Sequence, residues 1–188
     1  IAVSSTLYNI SFVGTGCNVD ILGGSYGAAG AQNYTFDVSD TDVTFSMVGP
    51  QFENSGLITF ADGQTIEATV FNKCAQVDPS TSFFDGNTFS NSVDTGGAVL
   101  FPSDDTNFKN CTFLNNLNGI EYASTSDATT PTLFGHSFDD VASQYDINNT
   151  SGATEELVIS GGGNANSYNP AGSIITFSNP KSFKFTVN

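Results

Sequence analysis

Residues 89–101 read FSNSVDTGGAVLF, and residues 113–123 repeat the pattern as FLNNLNGIEYA. A shorter version, FENSGLITF, stands at residues 52–60. Each copy has Phe, any residue, Asn, a short polar gap, Gly and an apolar run. Counting Lys with Asn at the third position, the phrase begins at Phe52, Phe71, Phe89 and Phe113, at separations of 19, 18 and 24 residues. Periods of this size mark stacked supersecondary units.

The units are not helical. Gly, Asn and Thr interrupt every run, and no segment keeps a 3.6-residue apolar period. Short runs rich in Val, Ile, Phe and Thr, such as TVF, AVLF and SIITF, read instead as strands. If successive turns stack in parallel about 4.8 Å apart, like residues fall on like residues. Phe and the aliphatic run then face inward as ladders. Asn suits a corner, where it can bond along its own ladder and accept a left-handed backbone. Gly is expected to supply positive φ where the chain turns. Shape alone accounts for the phrase.

The fold expectation is therefore all-β: a parallel β-helix (β-solenoid) forming a single domain over 1–188. The clearest turns lie at 45–123, with Phe52, Phe71, Phe89 and Phe113 inward. Residues 124–188 are loop-rich, with STSDATTPT and GGGNANSYNPAG. Alternation in TLYNISFV and YTFDVSDTDVTF places strands in the first 48 residues, and SFKFTVN reads as an edge strand guarded by Lys.

Composition narrows function. Four Lys, no Arg and nineteen Asp plus Glu give a net charge of −15. Nucleic acid is disfavoured because almost nothing is available to neutralise phosphates, and anionic lipid is disfavoured for the same reason. No apolar run reaches the length of a membrane span. The start at Ile1, without Met or a signal-peptide pattern, suggests a processed or excised piece. Asn, Ser, Thr and Gly dominate the polar positions, as on an outer surface that hydrogen-bonds water or sugars.

Three cysteines, Cys17, Cys74 and Cys111, cannot all pair within one chain. Buried reduced thiols are expected, against the alternative of one disulfide and a free thiol. FNKC (71–74) and FKNC (108–111) suggest equivalent inward positions that would stack thiol on thiol.

FKNCTFLNNLNGIEY (108–122) resembles a turn of the right-handed parallel β-helix proteins of the pectin-lyase-like class. FDGN (84–87) followed by GGAV (96–99) resembles motifs of chlamydial polymorphic membrane proteins and other surface β-helices. The resemblance covers roughly 45–123 and implies a right-handed coil. Many β-helix proteins cleave polysaccharides, so a polygalacturonase-like enzyme is the alternative reading, and its candidate residues are Asp104, Asp105 and His136. That class sets two carboxylates far enough apart to admit a water. It also uses an Arg-x-Lys, which a chain without Arg lacks. Asp104–Asp105 reads equally as turn chemistry and His136 as a surface or capping side chain. Asp37, Asp40 and Asp42 are the candidates for bound Ca²⁺, beside the simple expectation of clustered Asp in an acidic chain. Asn-x-Ser/Thr triplets at Asn9, Asn33, Asn110, Asn148 and Asn149 are no more frequent than composition generates.

The functional expectation is non-enzymatic, with no catalytic residue and no required cofactor. It is a surface-exposed module of a virion appendage (tail or head fibre) or of a cell envelope. It would bind a glycan or host-surface receptor, or act as a spacer, and a homotrimer would cover exposed strand edges. The setting is extracellular, on a cell or virion surface.

Overall fold

The structure is a computed structural model that describes residues 10–27, 34–80, 82–100, 107–122, 132–139, 145–150, 156–160, 167–169, 174–178 and 186–187. Among these residues every regular element is a strand, and every pairing is parallel. The first turn is β1 (Ile10–Ser11), β2 (Cys17–Leu22) and β3 (Ser25–Gly27). The second is β4 (Phe36–Val38), β5 (Val43–Val48) and β6 (Gln51–Glu53); the third is β7 (Ile58–Phe60), β8 (Thr65–Glu67) and β9 (Val70–Asn72). Next come β10 (Val77–Asp78), β11 (Phe83–Asp85) and β12 (Thr88–Ser90), then β13 (Val99–Leu100), β14 (Phe108–Lys109) and β15 (Thr112–Leu114). The sixth turn is β16 (Asn118–Tyr122), β17 (Thr132–Phe134) and β18 (Ser137–Asp139). Beyond it lie β19 (Tyr145–Asn149), β20 (Glu156–Ser160), β21 (Ser167–Asn169), β22 (Ile174–Ser178) and β23 (Thr186–Val187).

Each strand pairs with its equivalent one turn on, which makes three sheets of nine, eight and six strands. The all-β parallel β-helix expected from the repeat is the architecture found. Among the described residues the third sheet runs to β18, the first to β23 and the second to β22.

Register explains the interior. In the third sheet Tyr26, Phe52, Phe71, Phe89, Phe113 and Phe138 pair in sequence. Their rings stack at 5.2, 5.4, 5.1, 5.1 and 4.8 Å between centroids, with the last three steps within 12° of parallel. Phe52, Phe71, Phe89, Phe113 and Phe138 are buried. Each such contact contributes about 0.5–1.5 kcal/mol beyond area burial. The second sheet sends in Ile21, Met47, Ile66, Phe84 and Phe108. The first sheet sends in Ile10, Phe36, Ile58, Val77, Val99, Ile120 and Ile147.

Corners fix the residue types between strands. Before the third sheet, Gly23, Gly49, Ala68, Gly86, Asn110 and Gly135 all take φ between 48° and 79°. After it, Asn54, Lys73, Asn91 and Asn115 take φ between 52° and 56°. These four are the third residues of the repeated phrase, so its Asn is set by backbone conformation. The side chains also bond along the stack: Asn115 Nδ2 donates to Asn91 Oδ1 at 2.9 Å, and Asn91 Nδ2 to Asn72 Oδ1 at 2.7 Å.

The later Gly of the phrase departs from expectation. Gly97 and Gly119 are not at positive φ. They lie where backbones approach: a Cβ at Gly119 would strike the carbonyl oxygen of Asp146, and one at Gly97 would strike the backbone of Glu121 and Ile120. Space, and not turning, demands glycine there.

The ladder account predicts a contrast between adjacent phenylalanines. Phe84 is fully buried, whereas Phe83 points outward with Lys109 Nζ 4.9 Å from its ring. In urea unfolding, Phe84→Ala should cost about 3–5 kcal/mol and Phe83→Ala less than about 1 kcal/mol.

Candidate functional site

Sites in a coil are built on outer faces or corners, because inward positions are packed. Successive turns place like positions together, so catalytic groups could converge only if they share a ladder. None of the predicted groups do so among the described residues.

His136 lies inside the coil. It follows the left-handed Gly135 at the corner before β18 and is only 1% exposed. Its ring packs against Phe108 at 4.6 Å and Phe113 at 6.0 Å. Its Nδ1 accepts the Cys111 N–H at 3.2 Å, which places the proton on Nε2, and Nε2 has no partner among the described residues. Burial pushes the imidazole pKa from 6.5 down to about 3. The structure thus places His136 inside the coil and not on an outer face.

Its role is shown by the residues it stacks with. One turn below Cys111, at the same corner, Asn87 Oδ1 accepts the Thr69 N–H at 2.9 Å while Nδ2 donates to the Ile66 carbonyl at 2.9 Å. At the opposite corner, Asn116 accepts the Ser92 N–H at 3.0 Å and donates to the Phe89 carbonyl at 3.1 Å. These buried side chains satisfy backbone groups that no strand can reach. His136 performs the accepting half of that task. The sequence carried the signal in a second phrase: GNTF (86–89), NCTF (110–113) and GHSF (135–138) are one repeat, together with ATVF (68–71). Reading His136 alone, as a surface or capping side chain or as an enzyme candidate, did not use this series.

The cysteines need a matching correction. FNKC and FKNC look alike, but Phe71 belongs to the third sheet and Phe108 to the second. Cys74 thus stacks between Ser55 and Ser92, and Cys111 between Asn87 and His136; thiol does not stack on thiol. All three cysteines are free, with Cys74 and Cys111 buried and Cys17 half-buried. Burial pushes the Cys74 and Cys111 thiols up to about 12.

Asp37 lies in β4, with Asp40 and Asp42 at the corner between β4 and β5, and each carboxylate is engaged separately. Asp37 Oδ1 accepts the Ser39 N–H at 3.0 Å and the Thr59 hydroxyl at 2.9 Å. Asp40 accepts the N–H groups of Asp42 and Gly14, both at 2.9 Å. Asp42 meets the Thr15 hydroxyl at 3.5 Å. Hydrogen bonding, led by the Ser39 hydroxyl for Asp37 and the Asp42 N–H for Asp40, holds both carboxyls below the usual range. They tie turns together, and no group of three or more His, Cys, Asp or Glu able to hold a metal occurs among the described residues. The second candidate carboxylate pair, Asp104 and Asp105, falls outside the described residues.

The outer faces carry short polar side chains. Two of the four lysines are committed, Lys73 Nζ to Glu53 at 3.7 Å and Lys109 Nζ to Asp85 at 3.9 Å. No described helix is long and apolar enough to cross a membrane. Comparison with protein-family models, with curated proteins and with solved structures found no match. The class the geometry defines is a three-sheet parallel β-solenoid.

Two outcomes follow. The neutral His136 of the folded state is favoured over the unfolded histidine, so stability is complete above pH 6.5 and declines as pH falls toward 3, by up to about 4 kcal/mol. His136→Asn, copying Asn87, should remove the loss between pH 6.5 and 4, as read by urea titrations at each pH. Alkylation under denaturing, non-reducing conditions should label all three thiols, whereas in the native state Cys74 and Cys111 should label slowly.

Proposed function

We propose that the chain is a non-enzymatic, surface-exposed β-helix module of the pectin-lyase-like, right-handed kind. It would serve a virion appendage or a cell envelope by adhering to a glycan or host-surface receptor, or by acting as a spacer. The observation that carries this reading is the fate of the titratable groups. Acid–base sites leave strongly perturbed residues together in a cleft. Here the described groups with large shifts, Tyr34, Cys74, Cys111 and His136, are shifted first of all by burial inside the coil.

The outer surface supports the adhesive part. Hydroxyls and amides such as Thr59, Thr65, Thr88, Thr112 and Asn72 project from a rigid lattice whose repeat is set by strand spacing. Such groups suit neutral sugars. A net charge of −15 disfavours polyanions, since they would approach against a repulsive field.

A panel of neutral and acidic polysaccharides, with and without Ca²⁺, should show no turnover, and a glycan array should show retention without cleavage. Cleavage of any substrate, abolished by Asp104→Ala with Asp105→Ala, would overturn the reading.

A further inference from the structure

An Asp or Asn followed by Gly is a point at which a polypeptide can rearrange its own backbone. Glycine has no side chain to shield its amide nitrogen from the carbonyl carbon of the preceding side chain. The chain has three such pairs: Asp62–Gly63, Asp85–Gly86 and Asn118–Gly119. By residue type alone Asn118–Gly119 is the most labile, since asparagine loses ammonia more readily than aspartic acid loses water. The fold reverses that order.

Asn118 is 1% exposed and its amide is held at both ends. Its Nδ2 donates to the Thr95 carbonyl at 2.8 Å, and its Oδ1 accepts the Tyr145 N–H at 3.0 Å. The Asp146 carbonyl crowds Gly119 and leaves no space for a ring. Asp85 is bound by Asn110 Nδ2 at 2.8 Å and Lys109 Nζ at 3.9 Å, and the Gly86 N–H donates to the Lys109 carbonyl at 3.3 Å. That nitrogen is committed to the neighbouring turn.

Asp62–Gly63 is the exposed corner between β7 and β8. The Gly63 N–H takes no hydrogen bond among the described residues. A Cβ at Gly63 would meet nothing within 4 Å, so the space for a five-membered ring is open. From the next turn Ser80 Oγ donates to Asp62 Oδ1, which polarises the carboxyl carbon.

We propose that Asp62 is a self-modification site, where the chain converts to isoaspartate and becomes an acceptor for carboxyl methylation. The Gly63 nitrogen attacks Cγ of the protonated Asp62 carboxyl. A C–N bond forms, a Cγ–O bond breaks, and the carboxyl hydroxyl leaves with the amide proton as water. Water then adds to the Asp62 main-chain carbonyl of the ring, and the bond from that carbonyl to the Gly63 nitrogen breaks. The chain now runs through Cβ and Cγ, with mass and charge unchanged. The α-carboxylate set free is the group that an isoaspartyl methyltransferase esterifies with the methyl of S-adenosylmethionine. The site is independent of what the outer surface binds.

Folded protein aged at neutral pH and physiological temperature, then given that methyltransferase and labelled S-adenosylmethionine, should carry label at Asp62 on peptide mapping. Asp62 should convert at least about tenfold faster than Asp85 or Asn118, which must first open locally. In urea the order should invert, with Asn118 fastest by deamidation. Asp62→Asn should speed conversion at the same corner, read as a mass gain, and Asp62→Ser should remove the label from that peptide. No label at Asp62 in the folded protein would overturn the inference. So would label appearing first at Asp85, or Asn118 converting in the folded protein as fast as it does in urea.

Discussion

The in-register stacking of successive turns is the constraint on which the rest of this molecule depends. A residue in a parallel coil is placed by its equivalents above and below, about 4.8 Å away. Turn length is free to vary, because corners absorb the difference: Phe52, Phe71, Phe89 and Phe113 remain in register although the intervals between them are unequal. The ring ladder tolerates few substitutes, since a smaller side chain leaves a cavity with rings on both sides. Left-handed corners are equally selective, taking Gly or Asn at most of their positions, with Ala68, Lys73 and Ser80 as the departures among the described residues.

Stacking also determines what chemistry the chain can present. Polar side chains at the corners are drawn inward, where Thr69, Asn87, Asn116 and His136 are buried. They serve backbone groups that would otherwise be desolvated without a partner, at a cost of about 1–3 kcal/mol each. Histidine is an imperfect substitute for asparagine there, because its second nitrogen finds no acceptor among the described residues. Its burial, which disfavours the charged imidazolium, makes this corner acid-sensitive. Most described carboxylates, in contrast, stay at outer positions, with Asp146 the buried exception, and Asp37 and Asp40 bind hydroxyl and N–H groups of adjoining turns.

Much of this was legible in the sequence, for physical reasons. An inward aromatic followed two residues later by a left-handed corner restricts residue type twice at fixed spacing, so Phe-x-Asn survived as a readable repeat. The side of the coil was not legible from the same phrase. Each of the three sheets ends in an inward apolar residue and a corner, so FNKC and FKNC match as text while lying on different sheets. The burial of His136 was not legible from its own residues, because a histidine after glycine fits a catalytic motif, a surface or capping position and an inward corner alike. Its place in the GNTF, NCTF, GHSF series decides between them. Gly97 and Gly119 could not be interpreted alone, since close approach is a property of the neighbouring turn.

Nuclear Overhauser contacts among the aromatic rings test the central claim most directly. The account predicts ring-to-ring contacts from Phe89 to both Phe71 and Phe113, 18 and 24 residues away, at the 5.1 Å centroid separations of the ladder. It predicts backbone contacts of the parallel type alongside them, with no short Hα–Hα pairs across strands. Strong cross-strand Hα–Hα contacts between residues 52 and 114, as antiparallel hairpins would give, would contradict it.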